Sequence, residues 1–229
     1  VRSVLDRLDV VCYCPENFQA AEDVPLLRSE NPEEELVLDL VEGRIHAAVR
    51  GTLPANATLR ALKRACGVDH LSRVALLETA AGKRFLLAPV GVDEGWTVAG
   101  KLELIEKGKE IARRFGLTER VAVLAGGRYG DAGRHPAVDR SLADAELVAR
   151  LAQAEPWEIL IEDAIGECGL IIAPDGISGN LIFRTLTFLG GGKGHGAPVV
   201  NIDRIFVDTS RASPDYRNAL LLAASLAKT

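Results

Sequence analysis

Short apolar runs that alternate with amphipathic segments are the feature that most constrains how this 229-residue chain folds. The clearest runs are RVAVLA at 120–125 and GLIIA at 169–173, and turn residues bound each of them. Strands that are apolar along their whole length suit a sheet buried on both faces, and helices between them suit parallel crossovers. The pattern therefore predicts an α/β fold with a mostly parallel sheet covered by helices on both faces.

Local signals predict the remaining elements. Asn31-Pro32 followed by three glutamates indicates the start of a helix. The runs 73–78 and 83–88 flank a short Ala-Ala-Gly segment and predict a hairpin. The other patterns predict strands at 9–14, 45–49, 157–161 and 199–208 and helices at 57–65, 97–115, 141–154 and 213–228. In the helix at 97–115, the Glu and Lys residues are expected to form a solvated face, and in the helix at 141–154, Ser141 and Asp144 are spaced like a capping pair.

A chain of this length fits one α/β domain or two small lobes. We expect a single compact α/β unit over 1–229. Its weakest seams are at 89–97 and 136–140, so a second lobe between them remains an alternative.

The segment 173–200, APDGISGNLIFRTLTFLGGGKGHGAPVV, joins a strand end to a glycine-rich turn, a helix and a second glycine-rich loop. Ser178 or Asn180 is the predicted N-cap of the helix. Gly176 and Gly179 at such a junction let a ligand approach the backbone, and free amides at a helix N-terminus favour an anion. A plain turn followed by a C-cap loop gives the same pattern, so both interpretations stay open.

The loop 126–135 is the second informative segment, because it follows the strand at 120–125 and holds four glycines, two arginines and a histidine. Open α/β sheets bind ligands at the carboxyl ends of their strands. Arg128, Arg134 and His135 are therefore further candidates for contact with an anion.

Charge and hydropathy exclude several classes of partner. The formal net charge is -5 and no run of lysine or arginine occurs, which argues against nucleic-acid and membrane-surface binding. No apolar stretch reaches the roughly 20 residues that span a bilayer, and the first residues, VRSVLDRLDV, lack the apolar core of a signal peptide. We expect a cytoplasmic protein.

Motifs of common cofactor and metal sites are absent from the sequence. GxGxxG, GxxxxGK[ST], HExxH and GxSxG do not occur. The four cysteines form no CxxC pair and are interpreted as reduced, mostly buried thiols rather than as metal or redox ligands; they are Cys12, Cys14, Cys66 and Cys168. No metal site is predicted.

Four blocks from residue 120 onward carry a family resemblance: RVAVLAGGRYGD, WEILIEDAIGE, LIIAPDGISGNLIFRTLTFLGGG and RIFVDTSRASPDYRNAL. Their order resembles that of the phosphate acetyl/butyryltransferases and related acyl-phosphate acyltransferases. More closely, FRTLTFLGGGKGHGAPV with IFVDTSRA is similar to the methyltransferase subunit family MtxX, also called methanogenesis marker protein 4, a compact offshoot found in methanogenic archaea. The resemblance implies an isocitrate-dehydrogenase-like (phosphotransacetylase-like) α/β fold.

The resemblance also implies where the site lies. In the acyltransferases a strand ending in Pro-Asp leads to a Gly-Asn helix start, and a later Ser-Arg pair precedes the last helix. The residues of this chain that we expect to contact a substrate or anion are Asp163, Asp175, Gly176, Gly179, Asn180, Lys193 and Arg128. Asp163 and Asp175 match family positions near the cleft, and capping a helix is the alternative role for either.

The expected catalytic residues are Ser210, Arg211, Asp215 and His195. A guanidinium suits a phosphate, so Arg211 is the first choice for the anion contact, and an ion pair with a carboxylate is its alternative role. The family has an acid seven positions after the Ser that helps take the thiol proton of coenzyme A, whereas Asp215 stands five positions after Ser210. A neutral His195 suits proton transfer, but the sequence identifies no carboxylate partner for it.

These residues lead to two functional hypotheses. The first is a transferase that moves an acyl or methyl group and binds a small anionic, phosphate- or coenzyme A-like ligand; the resemblance points to coenzyme A or a methanogenic methyl carrier as cofactor. The second is a non-catalytic binding or assembly subunit of a methyltransferase complex. No DxHxxG corrinoid loop is present, and family analogy favours a homodimer.

Overall fold

The computed structural model describes residues 1–19 and 24–228. The chain forms two compact units: the first is Val1–Leu71 with Gly196–Thr229, and the second is Ser72–His195. The seams predicted at 89–97 and 136–140 both lie inside the second unit. Within segment 89–97, the buried carboxylate of Glu94 accepts the backbone N–H of Gly91 and pairs with Arg73.

The elements are numbered in chain order. The strands are β1 (Cys12–Pro15), β2 (Leu26–Ser29), β3 (Ala47–Val49), β4 (Ala75–Glu78), β5 (Arg84–Ala88), β6 (Val121–Val123), β7 (Glu155–Pro156), β8 (Leu170–Ile172), β9 (Lys193–Gly194), β10 (Ala197–Pro198) and β11 (Ile205–Asp208). The helices are α1 (Pro32–Val41), α2 (Ala55–Cys66), α3 (Val98–Arg114), α4 (Pro136–Ala152), α5 (Ile161–Glu167), α6 (Gly176–Phe188) and α7 (Arg217–Ala227).

The first unit contains two small sheets. β1 pairs with β2 in parallel, and a second sheet has the order β10-β11-β3, in which β11 and β3 are parallel. Its core joins α1, α2 and these strands, with Leu40, Leu62 and Phe206 fully buried. α7 packs on β11 and β3. The predicted helix start at Asn31-Pro32 is confirmed.

The second unit contains a six-stranded sheet in the order β7-β6-β8-β5-β4-β9. The pairs β7-β6, β6-β8 and β8-β5 are parallel, and the predicted hairpin is the antiparallel pair β4-β5. Neighbouring strand residues point to opposite faces, and Leu170 and Ile171 of β8 are both fully buried. Both faces of the central strand are therefore covered, which confirms the predicted mostly parallel α/β class.

Two predictions between β6 and β8 were wrong. α4 begins at Pro136, five residues before Ser141, because His135 caps it and proline is favoured in the first turn. Ser141 lies inside the helix and accepts the N–H of Gly126. The predicted strand at 157–161 is a turn that leads into α5, and the strand in this region is the short β7 just before it.

Two further boundaries differ from the predictions. The N-cap of α6 is Asp175 rather than Ser178 or Asn180. The predicted strand at 199–208 is confined to β11 at its end, with β10 just before its start. At α6, the earlier Asp175 side chain accepts the Ser178 N–H, a contact that periodicity alone does not locate.

Candidate functional site

Three parallel strands of the second unit end side by side, and this edge positions the candidate site. The last residue of β8, Ile172, pairs with Ala88 of β5 and with Val123 of β6. The chain therefore leaves all three strands at one level and forms the segments 89–97, 124–135 and 173–175. Carboxyl ends of parallel strands are where open α/β sheets bind ligands.

The turn before α6 satisfies its own hydrogen bonds. Asp175 accepts the Ser178 N–H at 2.8 Å and the Ser178 hydroxyl at 3.1 Å through one oxygen. The Gly176 N–H donates to the Glu94 carbonyl at 3.0 Å, and the Asn180 side-chain amide donates to the Val90 carbonyl at 2.9 Å. The groups expected to be free for an anion thus tie α6 to segment 89–97.

The two glycines of this turn also have a structural role. A Cβ atom at Gly176 would lie 1.6 Å from the Gly91 carbonyl oxygen, and one at Gly179 would lie 1.9 Å from the Pro89 carbonyl oxygen. The backbone of segment 89–97 occupies the space that the sequence had suggested for a ligand. Glycine is required at both positions because two stretches of backbone meet there.

Sequence reasoning missed Lys101, which lies in the first turn of α3 directly after segment 89–97. Only 5% of this residue is exposed, so it does not belong to the solvated face predicted for the helix. Burial lowers the pKa of Lys101, while the charges of Asp144 and Asp175 act to raise it. A signal was present: Lys101 shares helical spacing with the buried Ile105, Gly108 and Ala112.

The loop after β6 holds one free cation. The Arg128 side chain is exposed and has no hydrogen bond or ion pair within residues 1–19 and 24–228, while its backbone N–H donates to Asp131 at 2.9 Å. Arg134 pairs with the same carboxylate, and His135 accepts the Ala137 N–H as the cap of α4. Of the loop candidates, only Arg128 has an unengaged cationic group.

Asp163 lies in the first turn of α5 and its side chain is exposed. No side-chain hydrogen bond caps this helix, so Asp163 does not take the capping role that was its alternative.

His195 has the carboxylate neighbour that the sequence did not reveal. The antiparallel pair β4-β9 places Glu78 opposite Lys193. Glu78 pairs with the Lys193 ammonium at 2.9 Å, and its other oxygen lies 3.6 Å from the Nε2 atom of His195. Burial lowers the pKa of His195 and Glu78 opposes that effect, so the imidazole is held neutral beside a carboxylate.

The hydrogen bond from Lys193 lowers the pKa of Glu78. The carboxylate therefore stays ionised beside the neutral imidazole. Lys193 is accordingly engaged in an ion pair. His195 Nε2 is buried without a hydrogen-bond partner among the described residues.

In the first unit, a buried network fixes the strand end that precedes Ser210-Arg211. The Arg50 guanidinium donates to Asp208, to the Leu53 carbonyl at 3.0 Å and to the Thr209 carbonyl. Asp208 also accepts the Thr209 N–H at 2.9 Å. Position 210 is thus held directly after an ordered element.

The three predicted catalytic residues after this strand differ in their surroundings. Ser210 Oγ accepts the Ala212 N–H at 3.2 Å, which leaves the hydroxyl proton available. Arg211 is exposed and forms no hydrogen bond or ion pair within the described part of the chain. Asp215 accepts the Arg217 N–H at 3.0 Å and so supports the start of α7.

Two classes of feature were not found among the described residues. No helix there is both long enough and apolar enough to cross a membrane. No group of three or more His, Cys, Asp or Glu side chains within residues 1–19 and 24–228 is arranged to hold a metal ion. All four cysteines are free thiols, and burial raises the pKa of Cys12, Cys66 and Cys168.

Solved structures of acyltransferases share this fold. A branched-chain phosphotransacylase from Enterococcus faecalis is 19% identical, with a TM-score of 0.74 over 99% of this chain and 93% of that chain. A phosphotransacetylase from Streptococcus pyogenes is 21% identical, with a TM-score of 0.66 over 86% of this chain and 66% of that chain. At these identities the likeness establishes the fold, and the predicted phosphotransacetylase-like class is confirmed.

No protein-family model matches the chain, but curated relatives do. A protein of Methanosarcina barkeri named "Putative methyltransferase mtx subunit X" is 49% identical over 209 residues, which cover 89% of this chain and 77% of that protein. An uncharacterized methyltransferase of Methanopyrus kandleri is 43% identical over 99% of this chain and 92% of its own length. This chain belongs to the family of the mtx subunit X proteins.

Proposed function

We propose that this protein is a transferase that moves an acyl or methyl group and binds a phosphate- or coenzyme A-like anion. The observation that carries the proposal is the state of Arg211. Its guanidinium has no partner in the described chain, whereas the strand end before it is held by the buried Arg50-Asp208 pair. An unpaired guanidinium after an ordered strand is suited to a phosphate, which it binds through two parallel hydrogen bonds.

In the acyl-transfer form of the reaction, a thiol attacks the carbonyl carbon of an acyl phosphate. The C–S bond forms, the C–O bond to phosphate breaks, and the bonding electron pair leaves with the phosphate. Arg211 would stabilise the charge on the departing phosphate, and the Ser210 hydroxyl would donate a hydrogen bond to it. The thiol proton needs a base.

His195, which Glu78 orients within the second unit, is one candidate base. With the Nε2 proton directed at Glu78, 3.6 Å away, the Nδ1 atom of the neutral ring is the one that accepts a proton. Asp215 is the alternative base, because it is the acid that follows Ser210 in the sequence. In this proposal Arg128, Lys193 and Asp163 contribute to substrate binding. Residues 175–180 hold segment 89–97 in place.

The direct test is the consumption of acetyl phosphate and coenzyme A by the purified protein. We expect turnover, and Arg211→Ala is expected to lower kcat/KM by about tenfold to a hundredfold, the range for losing a charged hydrogen bond. Arg60→Ala is the matched control, since Arg60 is also exposed and lies on α2 of the same unit. Absence of turnover, together with an unchanged ligand-induced melting shift in Arg211→Ala, would contradict the acyltransferase form.

A second candidate function is a docking subunit of a methyltransferase complex. The relatives are named as a subunit of a methyltransferase. In addition, large apolar side chains are exposed on α6 and on the residue that follows it. Ile177, Leu181 and Leu189 are 48%, 59% and 84% exposed. Exposed apolar residues grouped on one element are typical of a protein interface.

Purification from native cells tests the docking function. We expect methyltransferase subunits to accompany the protein and to be lost in Leu181→Glu, with exposed Leu151→Glu on α4 as the control. A protein that runs alone with a ligand bound would leave only the enzyme proposal. Light scattering on the same sample tests the homodimer that we also propose by analogy with the acyltransferases.

A further inference from the structure

Lys101 occupies a position where three chain segments of the second unit meet. It follows segment 89–97, which leaves β5. The charge of Asp175, the residue that caps α6 after β8, acts on it, and so does the charge of Asp144 on α4, the helix after β6. The helix after β5 therefore supplies the ammonium, and the segments after β6 and β8 each supply one carboxylate that acts on it.

The two carboxylates near Lys101 already have partners. Asp175 accepts the N–H and the hydroxyl of Ser178. Asp144 pairs with Arg140 at 3.0 Å one helical turn away. Neither carboxylate reaches Lys101 within ion-pair distance, and the Lys101 ammonium has no hydrogen bond or ion pair to any of residues 1–19 and 24–228.

Burial of a lysine side chain whose ammonium has no protein partner is unfavourable, because it removes hydration that no protein group replaces. Only 5% of the surface of the Lys101 residue is exposed. Long surface lysines avoid this state by extending into solvent. At the carboxyl edge of a parallel sheet, such a group is suited to an oxyanion, which would supply the partner that the ammonium lacks.

We infer that Lys101 is a ligand-binding residue, and that its ammonium contacts the oxyanion end of the substrate, a phosphate or a carboxylate, at the carboxyl edge of β5, β8 and β6. This inference rests on the proposed function and concerns the second unit alone. Arg140 on α4 also acts on the Lys101 charge, while its guanidinium is paired with Asp144. Lowering of the Lys101 pKa by burial agrees with an ammonium that binding would stabilise.

Melting measurements with added anion test the inference. Inorganic phosphate and acetate are separate arms, which tell a phosphate end from a carboxylate end. We expect either anion to raise the melting temperature of the unaltered protein, and Lys101→Met to weaken the apparent Kd by about tenfold or more, as for loss of a charged hydrogen bond. Lys107→Met, on the same helix but at the surface, is expected to bind as the unaltered protein does.

A second measurement needs no variant. Acetic anhydride labelling of the unaltered protein, followed by mass spectrometry, is expected to show phosphate or acetate protecting Lys101 several-fold more than Lys107. A full anion-induced shift in Lys101→Met, or equal labelling of Lys101 with and without anion, would overturn the inference while the transferase proposal stands. No shift of the unaltered protein with either anion would overturn both.

Discussion

The two units each bury a cation, and the two cations are treated in opposite ways. Arg50 in the first unit is 4% exposed and Lys101 in the second is 5% exposed. Arg50 donates to a carboxylate and to two backbone carbonyls. Lys101 donates to no group of the described chain, although Asp144 and Asp175 act on its charge.

The difference separates a structural charge from a functional one. A buried guanidinium whose donors are matched fixes the chain around it, and its removal leaves unpaired groups behind. A lysine ammonium that donates no hydrogen bond to the protein contributes little to the stability of the fold and is available to a ligand. Burial alone would rank the two residues equally, so hydrogen-bond satisfaction is the property that distinguishes them.

The largest expected effect is that of Arg50→Met. The change removes the guanidinium that pairs with the buried Asp208 and takes a donor from the Leu53 and Thr209 carbonyls, so we expect a loss of about 3–5 kcal/mol in the free energy of unfolding. Urea denaturation monitored by circular dichroism measures it. The exposed Arg60→Met in the same unit is the control, with a change of less than about 0.5 kcal/mol expected. Equal stability of the two variants would show that Arg50 is not a structural charge.

The next effect is that of Gly176→Ala. The added methyl group would lie 1.6 Å from the Gly91 carbonyl oxygen, and since backbone cannot turn aside as a side chain does, we expect a loss of about 3 kcal/mol in unfolding free energy. Gly166→Ala in α5 is the control, because nothing lies within 4 Å of its added Cβ. A Gly176→Ala protein as stable as that control would show that segment 89–97 does not pack on α6 as described.

Lys101→Met tests whether the buried lysine contributes to the stability of the fold. Removal of the ammonium relieves its desolvation, and Asp144 and Asp175 keep their own partners, so the unfolding free energy is expected to change by less than about 1 kcal/mol. The same urea experiment measures it, with Lys107→Met as the control. A loss as large as that of Arg50→Met would make Lys101 a structural residue.

The smallest effect concerns the pH dependence of His195. Its folded pKa lies below its ordinary value, so as pH falls the unfolded chain binds a proton before the folded chain does, and stability is lost below about pH 6.5. His195→Asn removes this contribution, so its melting temperature should fall less than that of the unaltered protein between about pH 7.5 and about pH 5.5. The exposed His46→Asn is the control. A His195→Asn profile parallel to the unaltered protein would contradict burial of a neutral imidazole.

The sequence predicted the elements whose signals are local. The hairpin β4-β5, the start of α1 and the central strand β8 follow from turn residues, a proline in the first turn and an apolar run. The family resemblance predicted the phosphotransacetylase-like fold, which the solved structures confirm. α4 was placed five residues late because the spacing of Ser141 and Asp144 imitates a capping box, whereas His135 and Pro136 form the true start.

The site was harder to predict because its important contacts are long-range. Glu78 and His195 meet through strand pairing across more than a hundred positions of the sequence, and Gly176 meets segment 89–97 through tertiary packing. No local pattern records such approaches. Lys101 was overlooked because lysine on a helix is ordinarily solvated, although its spacing with Ile105 and Gly108 assigns it to the buried face.

Isothermal titration calorimetry of acetyl phosphate into the purified protein tests the central claim most directly, since that claim is the binding of an anionic group-transfer substrate. The account predicts saturable binding that weakens by about tenfold or more in Arg211→Ala and is retained in the exposed control Arg60→Ala. Absence of binding to the unaltered protein, or equal affinity in all of these variants, would contradict it.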